Sequence, residues 1–421
     1  MEIKELLEGR YSCECGMNHV CPIKKVVIGK EALKQLTETA EGYSHILLVA
    51  DGNTYEKAGE AVCLVLGEKI KRKVIFNGSR LLVPDERAVD GIINGADDKT
   101  DLILGVGSGV INDLCKYSSF KLGLPYQIVA TAPSMDGYAS VGAALILDGM
   151  KVTLNARVPE AIIADTSILA AAPMDMILSG YGDIIGKYSC LSDWELAALV
   201  RGEHICSFVL EATYGEVRRT RECAGRILQR DEEAIGVLTE ALVAVGILMA
   251  YVGSSRPASG SEHHYSHFFE IVGIERGEKY LPHGLDVFYS SVATAEIREK
   301  LIGLNGIEKK PAPSADEYEK EIRRIYGRVA NEVLALQEQT GLYRERDERL
   351  SFYKDNLDAV KAVLKKAPCP EEMKSILSEV GLSYEYFTDY YGMEKLADAR
   401  LFAKDLKDRY TVLWMYYDVF A

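Results

Sequence analysis

The stretch DLILGVGSGVINDLCKYSSF, residues 101–120, decides how this chain folds. Its opening, DLILG (101–105), is an apolar run suited to a buried parallel strand, and residues 110–122 follow with helical spacing. Between the two, Gly105, Gly107 and Gly109 alternate around Ser108. Glycines at a strand-to-helix turn let the backbone approach a pyrophosphate, and the helix amino end adds N–H donors and partial positive charge. The same glycines also suit a plain tight turn. The loop follows the third expected strand rather than the first, so it is not the usual dinucleotide fingerprint.

Outward from this stretch the rhythm repeats. YSHILLVAD (43–51), RKVIFNG (72–78) and PYQIVATA (125–132) read as further strands, with helical patterns at 54–69 and 86–98. Strands alternating with helices imply a parallel, doubly wound sheet of Rossmann-like α/β type. Residues 142–156 resemble a hairpin turning at Asp148-Gly149, and EAIIAD closes the domain near residue 166. From 167 onward the periodicity is helical, over 191–213, 231–253, 315–340, 354–365 and 393–419. Two segments, GSSRPASGS (253–261) and IGLNGIEKKPAPS (302–314), break it. The expected organisation is a nucleotide-binding α/β domain over 1–166 and an all-α metal- and substrate-binding domain over 167–421.

Bulk composition narrows the function. The 421 residues are 48% hydrophobic and 27% charged, as in an ordinary globular protein. A net charge of −14 argues against nucleic-acid or anionic-membrane partners, so a phosphorylated small molecule would need a local positive site. No run of 18 apolar residues and no signal-like start are seen, and a cytoplasmic protein is expected. Nine scattered cysteines read as reduced thiols. Cys13, Cys15, His19 and Cys21 nevertheless fall within nine residues, with ligand types that suit zinc but without the usual C-x2-C spacing.

Chemistry concentrates elsewhere. Of seven histidines, His263, His264 and His267 lie in EHHYSHFFE and His283 in YLPHGLDV. On a helix His263 and His267 share a face, while His264 points about 100° away. Two imidazoles and a carboxylate would hold Zn²⁺, Ni²⁺ or Fe²⁺ with positions open to substrate. Asp183, between two glycines in apolar SGYGDIIGKY, is the favoured acid; Asp193, Glu195 and Glu203 look like solvated helix positions. Asp51 ends the first expected strand, where an acid binds an adenosine ribose and repels a 2′-phosphate, or else caps a turn.

GVGSGVINDLCKY, TAPSMDGYAS, GYGDIIGKY, SGSEHHYSH and LPHG, in that order, resemble the sn-glycerol-1-phosphate dehydrogenases, nearer the bacterial than the archaeal branch. That family is grouped with glycerol dehydrogenase, 3-dehydroquinate synthase and iron-containing alcohol dehydrogenase. The resemblance implies reversible, metal-dependent, NAD(H)-linked reduction of dihydroxyacetone phosphate to glycerol 1-phosphate. It implies metal ligands at Asp183, His263 and His283, with His264 outside that set. It places His267 in the substrate pocket and Asp136 against the substrate, which Asp183 also touches. Cofactor contacts would come from Gly105, Gly107, Ser108, Gly109, Val110, Thr131, Ser134 and Ser140. Lys187 and Arg256 are the cations considered for the phosphate. A homodimer or larger homo-oligomer is implied. A glycerol or other polyol dehydrogenase of the same superfamily, or a metal- and nucleotide-binding protein without catalysis, stands as the alternative.

Overall fold

The computed structural model describes residues 1–79, 82–147, 150–309, 311 and 313–421. The chain divides into two compact units: Met1–Ile184 with Gly215–Ser255, and Ile185–Tyr214 with Arg256–Ala421. This differs from the expected boundary at 166, because helical segments beyond it belong to the unit that carries the sheet.

Among the described residues eight strands form in the first unit: β1 (Lys25–Gly29), β2 (Ile46–Asp51), β3 (Ile70–Phe76), β4 (Leu102–Gly107), β5 (Tyr126–Ala130), β6 (Gly142–Leu147), β7 (Met150–Asn155) and β8 (Ala161–Asp165). Six make a parallel sheet in the order β1-β8-β5-β4-β2-β3, and β6 pairs antiparallel with β7. The expected hairpin is therefore present, with its turn at Asp148-Gly149 outside the described residues. Only β1 has no counterpart in the sequence reading; its five residues are all half-buried at a sheet edge and give no clear alternation. In β2, β4, β5 and β8 nearly every residue is buried, which is why those segments read as unbroken apolar runs. On one face Ile46, Leu48, Leu102, Leu104 and Val106 pack under Ala58, Val62 and Leu66.

Strand order fixes where a ligand can sit. The crossover leaving β2 runs outward to β3, whereas the one leaving β4 runs the other way to β5. Their carboxyl ends are the topological switch point, the usual crevice of an open α/β sheet. With Ala50 level with Val106, Asp51 at the end of β2 lies beside Gly107 at the end of β4.

Six helices carry the rest of the account: α1 (Gly109–Leu122), α2 (Met174–Ile185), α3 (Lys187–Arg201), α4 (Glu232–Val252), α5 (Ser261–Arg276) and α6 (His283–Ile302). Helix α4 is long and apolar enough to cross a membrane, although small and polar residues interrupt its apolar run. Here 78% of its apolar window is buried, and it packs on the turn Asp136–Ala139, on helix Thr166–Ala170 and on β1. It is the core helix of the first unit.

Among the described residues the elements of the second unit are all helices, with α5 packed along α6. Several expected helices are split. Residues 191–213 divide at Gly202, 315–340 at Gly327 and 393–419 between Phe402 and Val412. The two glycines have φ of 64° and 51°, a conformation that ends a helix at little cost only without a Cβ.

Candidate functional site

In the first unit the glycine loop is built by close packing. A Cβ on Gly107 would lie 2.5 Å from Cβ of Ile111, and one on Gly105 2.9 Å from Cδ1 of Ile128. The glycines are thus required for α1 to seat against β4. Ser108 is the N-cap of α1, but its hydroxyl caps no backbone N–H. The first-turn amides of α1 therefore have no side-chain cap and face the switch point with the helix dipole behind them, an arrangement suited to phosphate oxygens. Asp51 Oδ1 accepts hydrogen bonds from the amides of Asn53 (2.8 Å) and Thr54 (3.0 Å). The capping role considered for Asp51 is present, at the position where a ribose would also meet it.

A buried lysine braces the next loop. Lys116 Nζ donates to the carbonyls of Gly137 and Gly142, both at 2.8 Å, and to Ser140 Oγ at 3.2 Å. Burial lowers its proton affinity, which the nearby Asp113 carboxylate opposes. Ser140, expected among the cofactor contacts, thus has its hydroxyl inside this internal network. Thr131 is buried and joined to the glycine loop, its amide donating to the Gly107 carbonyl at 3.1 Å. Ser134 and Asp136 are half-buried further along the same loop. Asp183, 1% exposed on α2, accepts a 3.0 Å hydrogen bond from the Asp136 amide at Oδ2. Lys116 sits inside the quoted motif GVGSGVINDLCKY, but nothing in its spacing announced that it would be buried.

The second unit gathers three of the four histidines. His263 and His267 lie on one face of α5, and His283 is the first residue of α6. Ring centroids are 5.1 Å apart for His263 and His283, 5.4 Å for His267 and His283, and 6.1 Å for His263 and His267. His264 is fully buried, and burial holds its pKa well below the usual imidazole value.

Two neighbours orient the cluster. Glu262 Oε1 lies 2.7 Å from His263 Nδ1 and accepts from the Gly260 amide at 2.9 Å. Ser266 Oγ lies 3.1 Å from His283 Nδ1. With each Nδ1 engaged, Nε2 is the atom through which His263 or His283 would meet a metal, since metal-bound imidazoles tie their other nitrogen in this way. Imidazoles held like this would suit a divalent ion. Neither Glu262 nor Ser266 was singled out from the sequence, although each is next to or one helical turn from a histidine that was.

Five charged residues are placed differently from expectation. Asp193 is buried, taking the amides of Ser261 (2.7 Å) and Val412 (2.8 Å), so it fastens the start of α5 instead of facing solvent. Glu203 is half-buried against Arg256, and Glu195 is half-buried beside Lys366. Arg256 also donates to the Tyr410 carbonyl at 3.0 Å, and buried Lys187 donates to the Ala258 carbonyl at 3.0 Å. Both cations considered for the phosphate hold internal partners.

Glu262 yields a first expected result. Glu262→Gln keeps an acceptor but removes a buried charge that helps to balance the fully buried Arg298. Bound metal per chain, titrated against a chelator, is expected to show an affinity loss of about 10- to 100-fold. Unchanged affinity would mean that the Glu262–His263 contact does not serve a metal.

The profile of the iron-containing alcohol dehydrogenase family matches residues 27–173. The chain is 35% identical over 306 residues to a glycerol-1-phosphate dehydrogenase [NAD(P)+] of Halalkalibacterium halodurans, covering 70% of this chain and 77% of that one. It is 31% identical over 390 residues to the same-named enzyme of Geobacillus stearothermophilus, covering 90% and 88%. Among solved structures, sulfoacetaldehyde reductase from Bifidobacterium kashiwanohense in complex with NAD+ superposes with a TM-score of 0.60 at 15% identity, over 95% of this chain and 97% of that one. That structure shares the fold. With more than 30% identity over most of two such enzymes, the chain belongs to the glycerol-1-phosphate dehydrogenase family.

Proposed function

We propose that this protein reduces dihydroxyacetone phosphate to sn-glycerol 1-phosphate with NADH, reversibly, using one divalent metal ion. The observation that carries the proposal is its identity to glycerol-1-phosphate dehydrogenases across most of their length, together with a histidine cluster whose Nδ1 atoms are tied. Asp183, His263 and His283 are the proposed ligands, and zinc, nickel and iron all suit them. The ion, when bound, supplies Lewis-acid polarisation of the ketone oxygen, and the nicotinamide supplies the hydride.

The chain's own residues do the rest. Glu262 and Ser266 hold the two ligand imidazoles in one tautomer. His267 on the same helix face moves the proton to or from the substrate oxygen, and Asp136 hydrogen-bonds the polyol. The amides at the start of α1, with Gly105 to Val110, receive the pyrophosphate; Thr131 and Ser134 line the nicotinamide side. On the same reading the enzyme works in the cytoplasm as a homodimer or larger homo-oligomer, and its partner is a small molecule rather than nucleic acid or membrane. Its product is a glycerophospholipid building block.

The test is NADH oxidation by metal-loaded protein with dihydroxyacetone phosphate against dihydroxyacetone. Turnover of the phosphorylated ketone alone is expected. Preference for dihydroxyacetone would move the protein to the glycerol dehydrogenases.

NAD over NADP rests on Asp51. Asp51→Asn keeps an oxygen for the Asn53 and Thr54 amides but drops the charge that repels a 2′-phosphate. kcat/KM for NADPH is expected to rise about tenfold, or about 1.4 kcal/mol, with little change in melting temperature. An unchanged NADH/NADPH ratio would take the coenzyme choice away from Asp51.

A further inference from the structure

We propose that Cys13, Cys15 and His19 form a structural zinc site in the sheet-bearing unit, distinct from the Asp183, His263 and His283 set. The loop that carries them is closed at its base by a reciprocal pair: the Arg10 amide donates to the His19 carbonyl and the His19 amide to the Arg10 carbonyl, both at 2.8 Å. Within the loop the Gly16 amide donates to the Cys13 carbonyl at 2.9 Å, and the Ser12 amide to Asn18 Oδ1 at the same distance. Gly16, at φ 84°, makes a turn that a residue with a Cβ would enter only with strain. This folding back brings the two sulfurs and a ring nitrogen within 4.8 Å of one another.

The geometry at His19 assigns its atoms. The ring is fully buried, and Nδ1 lies 2.9 Å from the Tyr251 carbonyl oxygen. A carbonyl only accepts, so Nδ1 carries the hydrogen and Nε2 presents its lone pair. That Nε2 lies 3.4 Å from Cys15 Sγ. Tetrahedral zinc, with Zn–S of about 2.3 Å and Zn–N of about 2.0 Å, holds sulfur and nitrogen ligands roughly 3.5 Å apart. The carbonyl behind the imidazole is the usual outer partner of a metal-bound histidine.

Two thiolates and an imidazole are a soft set that favours zinc over the hard cations, and a bound ion deprotonates the thiols. A further thiolate or a water completes four-coordination. Cys21, grouped with these residues by spacing, lies outside the cluster, and burial raises the pKa of its thiol. The His19 ring stacks on Tyr251 at 5.2 Å between centroids and 13° between planes. Tyr251 belongs to the last turn of α4 and its hydroxyl donates to the Leu6 carbonyl. A metal here would fasten the amino-terminal loop to the core helix of its unit.

The test uses the full-length protein stripped of metal and loaded with Co²⁺. Folded wild type is expected to show a sulfur-to-cobalt charge-transfer band, because the Asp183, His263 and His283 set contains no sulfur. The band is expected to persist in His263→Ala and to vanish in the double variant Cys13→Ser/Cys15→Ser. Chelating the zinc-loaded wild type is expected to lower its melting temperature. Absence of the band from wild type loaded with two equivalents of Co²⁺ overturns the proposal whether or not the variants fold. Its survival in the folded double variant does so too.

Discussion

His263→Ala is expected to lower kcat/KM for dihydroxyacetone phosphate at least about a thousandfold while the protein still folds. Removing a ligand forfeits most of a Lewis-acid contribution worth several kcal/mol, and each 1.36 kcal/mol is a factor of about ten. His264→Ala, one residue on, is expected to do the reverse. His264 is 0% exposed, and both its ring nitrogens lack a hydrogen-bond partner among the described residues, so its contribution is packing. Truncating it costs about 2–4 kcal/mol of stability, with turnover of the surviving folded protein near wild type. Thermal melts and kinetics on both variants separate the two roles. Full turnover in metal-loaded His263→Ala would remove His263 from the ligand set and leave the fold untouched.

The difference between these neighbours was legible in the sequence only as an angle. Helical spacing put His263 and His267 on one face, and the folded α5 has that face. The sheet was legible for a similar reason: strands buried on both faces leave unbroken apolar runs, so β2, β4, β5 and β8 announced themselves. β1, half-buried along its length, carried no such signal. Charged groups were the blind spot. By sequence Asp193 is a solvated helix position, where charge normally stays, and Lys187 and Arg256 are cations available to a phosphate. They are buried because distant partners meet them: the amides of Ser261 and Val412, the Ala258 carbonyl, and Glu203 with the Tyr410 carbonyl. Such pairings are tertiary, and no periodicity encodes them. Composition and spacing located the cysteine cluster, yet only the Arg10–His19 bridge decides which member is left out.

Gly180→Ala is expected to be the most damaging single-methyl change in the first unit. A Cβ at Gly180 on α2 would lie 1.8 Å from the Pro133 carbonyl oxygen and 2.8 Å from its carbon. Backbone cannot swing aside as a side chain does, so helix and loop must part by more than about 1 Å. The loop has no room to retreat. On α4, a Cβ at Gly246 would lie 2.8 Å from the Asp136 carbonyl oxygen, so that helix is also pressed against it. The segment Pro133–Asp136 is thus held between two helices, each approaching through a glycine. Its far end carries the Asp136 amide, which holds Asp183 at 3.0 Å. Overpacking of this kind costs about 1–3 kcal/mol or more, and displacing an aligned group by about 1 Å costs about a hundredfold in rate. Gly180→Ala is therefore expected to lower both the melting temperature and kcat/KM. A purely structural role would spare the rate of the folded fraction. If the variant melts like wild type and turns over normally, the loop is more compliant than its packing allows. The alignment of Asp136 with Asp183 would then owe nothing to Gly180.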